Sequence, residues 1–135
     1  GLQDYAGIAG TKAALDYLSE AGMENVEAQD RKLMRQMVRE TEDVKGLKLV
    51  GPSDPDRRSS VFSFNIEGLS PHDIAMMLDN IDGIMIRSGL HCAHPFFEGK
   101  KIGGSARASV YLYNDAEDVS RFSSALRKAA EAFGR

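Results

Sequence analysis

The sequence predicts an α+β fold in which helices cover a small, mostly antiparallel sheet of three or four strands. Apolar residues recur at helical spacing in four segments, and short apolar runs bounded by glycine or loop residues lie between them. The predicted order is α-α-β-β-α-β-β-α, without an internal repeat or linker. The 135 residues are therefore expected to form a single domain.

The helical segments have recognisable ends. Gly22 is placed to cap the first helix, the second spans about residues 25–44, and Ser70-Pro71 marks the start of the third. Asn114 or Asp115 caps the last. Their apolar positions are Ile8, Ala13, Ala14, Leu15 and Leu18; Val26, Leu33, Met34, Met37 and Val38; Ile74, Ala75, Met77 and Leu78; and Val119, Phe122, Leu126, Ala129, Ala130 and Phe133.

Four short segments are predicted as strands because they are apolar or alternating and are bounded by turn residues. They are residues 47–50, 61–66, 84–86 and 106–113. Residues 53–59 are polar and contain proline and serine, which is typical of an exposed loop, and residues 98–104 are also predicted as a loop.

Composition and charge exclude several classes of function. A net charge of −3 gives no basis for nucleic-acid binding, which needs a clustered basic face. No apolar run approaches the roughly 18 residues of a membrane span, and no signal-peptide pattern is present. A single cysteine cannot form an internal disulfide, so a reducing, cytoplasmic location is expected.

The chain starts at Gly1, directly before a helical pattern, which indicates a cut or processed piece of a longer protein.

The residues that could take part in a reaction cluster in the sequence around Cys92, the only cysteine. Gly89 provides a hinge before it, and His91 and His94 flank it. A thiol becomes nucleophilic where nearby positive charge or a helix N-terminus favours the thiolate and the sulfur is exposed. Because loops on a rigid scaffold usually carry such groups, we interpret Cys92 as a nucleophile rather than a small buried hydrophobic residue.

Two arginines bracket this cysteine, Arg87 five residues before it and Arg107 fifteen residues after it. Guanidinium groups bind carboxylates through two parallel hydrogen bonds and stay charged at any working pH. Arg107 falls between two alanines in a strand pattern, where a long cation needs a partner. From the residues alone, that partner is either a substrate carboxylate or an acidic side chain of the protein.

A metal site is the alternative interpretation of His91, Cys92 and His94. A closed zinc site needs four ligands at characteristic spacings, and the remaining histidine, His72, falls on a separate predicted helix. No metal centre is therefore expected.

The motifs together are specific. The segment 87–95 reads RSGLHCAHP, and it is followed by Arg107-Ala108-Ser109 and then by Tyr113-Asn114. This pattern resembles the C-terminal domain of cysteine desulfurases, pyridoxal-phosphate enzymes of the class V aminotransferase family. The resemblance is greatest to the group that serves iron–sulfur cluster assembly by the SUF route, and it covers essentially the whole chain.

The resemblance implies a fold and a set of roles. The fold would be the small C-terminal domain of fold-type I pyridoxal-phosphate enzymes. Cys92 would attack the sulfur of cofactor-bound L-cysteine and carry it as a persulfide, leaving L-alanine. Arg107 would hold the substrate carboxylate, and Arg87 would assist substrate binding and order the loop. His91 and Gly89 would support the loop.

The chain also departs from the family pattern. The cofactor lysine, the ring-stacking histidine and the cofactor-binding aspartate of the family belong to a preceding large domain that is absent here. Leu2 replaces a threonine that reaches a neighbouring subunit's cofactor phosphate in many relatives, and Leu90 replaces a frequent histidine. The family's serine-x-histidine-lysine context is found at none of the lysines considered, Lys45, Lys48, Lys100 and Lys101. Alone, the chain is expected to bind no pyridoxal phosphate and to be inactive.

The implied partners are the large cofactor-binding domain, L-cysteine, and a sulfur-acceptor or scaffold protein of iron–sulfur assembly. The complete enzyme would be a homodimer. Three alternatives stay open. The chain could be a stand-alone sulfur-acceptor or interaction module, as the missing cofactor domain suggests. It could also be the domain of a class V aminotransferase or of a selenocysteine lyase.

Overall fold

The computed structural model describes residues 1–133, apart from the side chain of Phe133, so the predicted apolar contact of that side chain lies outside the described residues. Within this range the chain forms five α-helices and one four-stranded sheet, which confirms the α+β class. The helices are α1 (Tyr5–Ala21), α2 (Met23–Thr41), α3 (Pro71–Asp82), α4 (His94–Lys100) and α5 (Ala116–Phe133). The strands are β1 (Leu47–Val50), β2 (Val61–Ile66), β3 (Arg87–Gly89) and β4 (Ser105–Ser109).

The sheet has the order β1-β2-β4-β3, and each neighbouring pair is antiparallel. β1 and β2 have the predicted bounds. β4 lies between β2 and β3, although it is the last strand of the chain. This order leaves β3, a strand of three residues, at one edge of the sheet and β4 paired on both sides.

One face of the sheet is buried by α2, α3 and α5. Successive strand residues point to opposite faces, so Phe62, Phe64 and Ile66 of β2 are buried while their neighbours are only half-buried. Phe122 of α5 packs edge-on against the rings of Phe62 and Phe64, with ring centroids 5.9 Å apart in both cases. Aromatic rings prefer this arrangement to face-to-face stacking.

The opposite face of the sheet carries several polar side chains. We call it the open face and define it by Lys48, Ser63, Asn65, Arg87 and Arg107, which the strand registers place on one side of the sheet. The candidate chemistry lies on and beside this face.

The predicted helix caps are confirmed. Gly22 ends α1 with a φ of 82°, a backbone conformation that glycine adopts without steric cost. Ser70 accepts a hydrogen bond from the backbone N–H of Asp73 and caps α3. Asp115, one of the two candidates, caps α5 by accepting from the backbone N–H groups of Glu117 and Asp118.

The prediction of a strand at residues 84–86 is wrong. Ile84 and Ile86 are half-buried against the core, but pairing with β4 begins only at Arg87. The apolar pattern predicted the core contacts of Ile84 and Ile86, whereas Met85 is exposed and backbone pairing depends on where β4 approaches. Gly104 lies so close to β3 that a Cβ atom there would be 2.9 Å from the carbonyl oxygen of Gly89.

Three other boundaries differ from the sequence prediction. β4 ends at Ser109 because Tyr111 and Asn114 form a turn closed by two hydrogen bonds, one of them to the Asn114 side chain. α4 includes residues 98–100, which were predicted as part of a loop, and it has Pro95 in its first turn, where a missing N–H has no cost. α2 ends at Thr41, before the predicted end.

The first predicted helix forms, but its apolar side chains are not buried. Ile8 and Leu15 are each 59% exposed, and no residue of α1 is buried. Within residues 1–133, no helix is both long enough and apolar enough to cross a membrane.

Candidate functional site

Two arginines lie opposite each other on neighbouring strands, the edge strand β3 and the inner strand β4. The antiparallel register of β3 and β4 sets Arg87 directly opposite Arg107, and β2 places Ser63 on the other side of Arg107. Directly opposite residues have Cβ atoms about 4.5–5.5 Å apart, and like charges in such positions repel. The pair is therefore unfavourable unless an anion lies between the two guanidinium groups.

No acidic side chain in residues 1–133 neutralises this pair. The ion pairs of the described chain involve other lysines and arginines. Arg107 is half-buried, and its Nε atom is buried without a hydrogen-bond acceptor. Of the two partners considered for Arg107, the internal salt bridge is thus not found in the described residues. The remaining candidate is a carboxylate from outside the described residues.

Cys92 lies on the turn that joins β3 to α4. Its thiol is free and the residue is exposed, so it does not serve as a buried hydrophobic residue. His91 and Cys92 have φ angles of 50° and 59°, which places two consecutive non-glycine residues in the left-handed region. Each such residue costs about 1–2 kcal/mol. Contacts around the turn must offset this strain, and a hydrogen bond of 2.8 Å from the Ala93 N–H to the Leu90 carbonyl is one of them.

His91 ties the turn to the start of β4. Its Nε2 lies 2.9 Å from the carbonyl oxygen and 3.1 Å from the hydroxyl oxygen of Ser105, which is fully buried. Donation to a carbonyl requires the proton on Nε2, which leaves Nδ1 as an acceptor. Nδ1 is buried without a partner. Neither ring nitrogen is hydrogen-bonded to the Cys92 thiol, so the imidazole holds the turn in this conformation.

Burial lowers the pKa of His91 below its ordinary value. The hydrogen bond to the Ser105 carbonyl acts in the opposite direction, and the positive charges of Arg107 and Arg87 lower the pKa further. His91 is therefore neutral at neutral pH and adds no positive charge beside the thiol.

This lowered pKa predicts a pH dependence of stability. Because the unfolded chain binds the proton more readily, His91 stabilises the fold above about pH 6.5, and that contribution is lost as the pH falls toward the lower pKa of the folded state. In His91→Gln, the melting temperature should fall less on acidification from about pH 7.5 to 5.5 than in the unsubstituted chain. Differential scanning calorimetry at both pH values measures the difference.

The matched control is His72→Gln. His72 is exposed in the first turn of α3 and forms none of the hydrogen bonds described for the chain. Its melting temperatures should follow those of the unsubstituted chain. Equal acid sensitivity in His91→Gln and in the unsubstituted chain would contradict the assignment.

The three histidines considered as metal ligands lie on different elements. Nε2 of His91 is bonded to Ser105, His94 begins α4, and His72 lies on α3. Residues 1–133 contain no group of three or more histidine, cysteine, aspartate or glutamate side chains placed to hold a metal ion.

Sequence reasoning missed Asn65 and the start of β4. The side-chain amide of Asn65 donates a hydrogen bond of 2.9 Å to the carbonyl of Gly104, and its Oδ1 atom is buried without a partner. Gly104 contacts Gly89, the predicted hinge, which has a φ of 113°. The available signal was a polar residue at an outward position of an alternating strand.

The chain matches the family model described as aminotransferase class-V over residues 1–122. A probable cysteine desulfurase from Xylella fastidiosa is 37% identical over 134 residues, which cover 99% of this chain and 32% of that protein. A probable cysteine desulfurase from Pyrococcus abyssi is also 37% identical over 134 residues, which cover 98% of this chain and 32% of that protein.

Solved structures of cysteine desulfurases share the fold. The apo enzyme from Thermococcus onnurineus NA1 superposes with a TM-score of 0.92 at 32% identity, and an Escherichia coli enzyme with a TM-score of 0.87 at 27%. Each match covers 98% of this chain and 32% of the other. The chain thus spans about a third of the length of its relatives. The chain belongs to the class-V aminotransferase family, and its homologues include cysteine desulfurases.

Proposed function

We propose that residues 1–135 are the C-terminal small domain of a SUF-type cysteine desulfurase, which takes sulfur from L-cysteine as a cysteine persulfide for iron–sulfur cluster assembly. The observation that carries this proposal is the combination of an exposed thiol at Cys92 with two guanidinium groups, at Arg87 and Arg107, that form no ion pair within residues 1–133. Only a few residues separate the thiol from the edge of the sheet that holds the arginines. Membership of the class-V family and similarity to cysteine desulfurases support the proposal.

The arginine pair binds the substrate carboxylate in this proposal. A carboxylate between Arg87 and Arg107 removes their mutual repulsion and provides the acceptor that the buried Nε of Arg107 lacks. Arg107 is half-buried in a strand paired on both sides, so it fixes the position of the carboxylate. Arg87 is exposed on the edge strand and adds charge from the opposite side.

Cys92 performs the sulfur transfer. Its thiolate attacks the sulfur of L-cysteine, a new S–S bond forms, and the Cβ–S bond of the substrate breaks. The electron pair of the broken bond stays with Cβ, which takes up a proton to give L-alanine. Cys92 is left as a persulfide, so the reaction needs no external oxidant. The persulfide is then available to a sulfur-acceptor or scaffold protein.

The family implies pyridoxal phosphate, and the residues present fit the substrate end of such a site. The buried, unpaired Nε of Arg107 suits a carboxylate oxygen, and we assign no residue of this chain to the cofactor itself. When bound by a large domain, the cofactor supplies the electron sink that makes the Cβ–S bond of the substrate breakable. The chain alone is accordingly inactive, and the working enzyme is a homodimer of complete subunits.

The test uses the complete enzyme that carries this chain together with its cofactor-binding domain. Mixing it with L-cysteine in the absence of reductant should add one sulfur atom to Cys92 and release one L-alanine per site. Peptide mass spectrometry locates the sulfur, and chromatography measures the alanine. Alanine formation without any sulfur on Cys92 would contradict the proposal.

A further inference from the structure

Gly104 and Ser105, where the chain enters β4, contact three parts of the molecule: β2, the end of β3 and the Cys92 turn. Asn65, from β2, donates its side-chain amide to the carbonyl of Gly104 at 2.9 Å. His91, from the Cys92 turn, donates to the carbonyl of the next residue, Ser105, also at 2.9 Å. The backbone of Gly89, at the end of β3, touches Gly104 closely enough to exclude a Cβ atom.

These contacts form a continuous connection from β2 to the thiol. Asn65 is hydrogen-bonded to Gly104, Gly104 is covalently linked to Ser105, Ser105 is hydrogen-bonded to His91, and His91 directly precedes Cys92. The strained turn at residues 91 and 92 therefore depends on the position of two carbonyl groups at the start of β4. Asn65 fixes the first of them.

The Asn65 side chain contributes little net stability to the fold. One end of its amide makes a hydrogen bond, but the Oδ1 at the other end is buried without a donor. A buried acceptor that loses its hydrogen bonds to water carries a desolvation cost that opposes the gain from the bond at the other end. A leucine of similar size would remove the donor and the unpaired oxygen together.

We propose that Asn65 is a positioning residue that holds the Cys92 turn through Gly104, Ser105 and His91. Its catalytic consequence rests on the proposed function, whereas its effect on the order of the turn does not. Asn65 sets where the thiol lies, while the substrate carboxylate is bound by the arginine pair. Loss of Asn65 therefore lowers the turnover rate without weakening the binding of L-cysteine.

The first experiment measures hydrogen exchange of the Ala93 amide, which closes the turn by donating to Leu90. In Asn65→Leu, this amide should exchange at least about tenfold faster, while the melting temperature stays within about 3 °C of the original. Asn65→Asp, which keeps the size of the side chain but removes the amide donor, should give the same faster exchange.

The matched control is Asn80→Leu. Asn80 also donates its side-chain amide to a backbone carbonyl at 2.9 Å, but it lies on the exposed side of α3. The Ala93 exchange rate should be unchanged in this variant. Unchanged exchange in folded Asn65→Leu and Asn65→Asp would overturn the proposal, as would equal acceleration in Asn80→Leu.

The second experiment uses the complete enzyme. Asn65→Leu should lower kcat for L-cysteine about tenfold and leave KM within about twofold, because small displacements of a reacting group are costly. A lowered melting temperature with unchanged kcat would indicate a structural role only and overturn the proposal. If Cys92 proves dispensable for desulfuration, the proposed function fails, but the exchange result for Ala93 still decides whether Asn65 positions the turn.

Discussion

Replacement of Cys92 by alanine is expected to lower sulfur release from L-cysteine by about 10³-fold or more in the complete enzyme, because the proposed sulfur-accepting nucleophile is removed. Binding of L-cysteine should persist, since Arg87 and Arg107 remain opposite each other. Sulfide release in the presence of a thiol reductant measures the rate, and equilibrium binding of the unreacted substrate measures the affinity.

The control for this prediction is His94→Ala, because His94 is exposed two residues beyond the thiol and makes none of the hydrogen bonds described for the turn. Its rate should match that of the original enzyme. Full sulfur release from Cys92→Ala would show that the persulfide forms elsewhere. Amino-group transfer to a keto acid that survives in this variant would instead favour a class-V aminotransferase.

Replacement of Arg107 by glutamine should reduce kcat/KM for L-cysteine about 100-fold, mainly through a higher KM. Glutamine lacks the positive charge and the two parallel N–H donors of the guanidinium group. Arg87 is exposed, and alone it cannot fix the position of the carboxylate. Arg107→Lys should recover part of the loss, because lysine keeps the charge but not the bidentate geometry. Steady-state kinetics of alanine formation measures both variants.

Two controls separate carboxylate binding from general damage. Arg31→Lys changes an exposed arginine that pairs with Glu27 on α2 and should leave kcat/KM unchanged. Cysteamine, which is L-cysteine without its carboxylate, should react slowly with the original enzyme and no more slowly with Arg107→Gln. A large further loss with cysteamine would show that Arg107 does not act on the carboxylate.

Local sequence patterns predicted the helices and strands whose bounds are set by interactions between residues close in the sequence. β2 alternates apolar and polar residues and ends at a turn, so its bounds and its buried residues, Phe62 and Phe64, follow from the pattern. Ser70 and Asp115 satisfy the first free N–H groups of α3 and α5, which is a local interaction. The segment 84–86 was predicted wrongly because Ile84 and Ile86 contact the core while the backbone pairs with no strand.

The residues of the candidate site could be selected from the sequence, but their arrangement could not be predicted. Cys92, Arg87 and Arg107 could be selected by their chemistry, and Gly89 and His91 by their position beside the thiol. That Arg87 lies opposite Arg107 depends on the register of β3 and β4, which are separated in the chain by α4. The importance of Asn65 depends on a carbonyl 39 positions away. Contacts of this kind appear only when the strands are assembled.

The strand order has a consequence for the mobility of Cys92 relative to Arg107. Arg107 lies on β4, which has a neighbour on each side, whereas Cys92 follows a three-residue strand attached along one side only. Edge segments with few contacts open locally at a lower free energy than central strands do. In the proposed function, Cys92 receives sulfur from a donor molecule and passes it to an acceptor molecule. A turn that follows a short strand paired on one side only can move between the two while Arg107, on a strand paired on both sides, keeps its position.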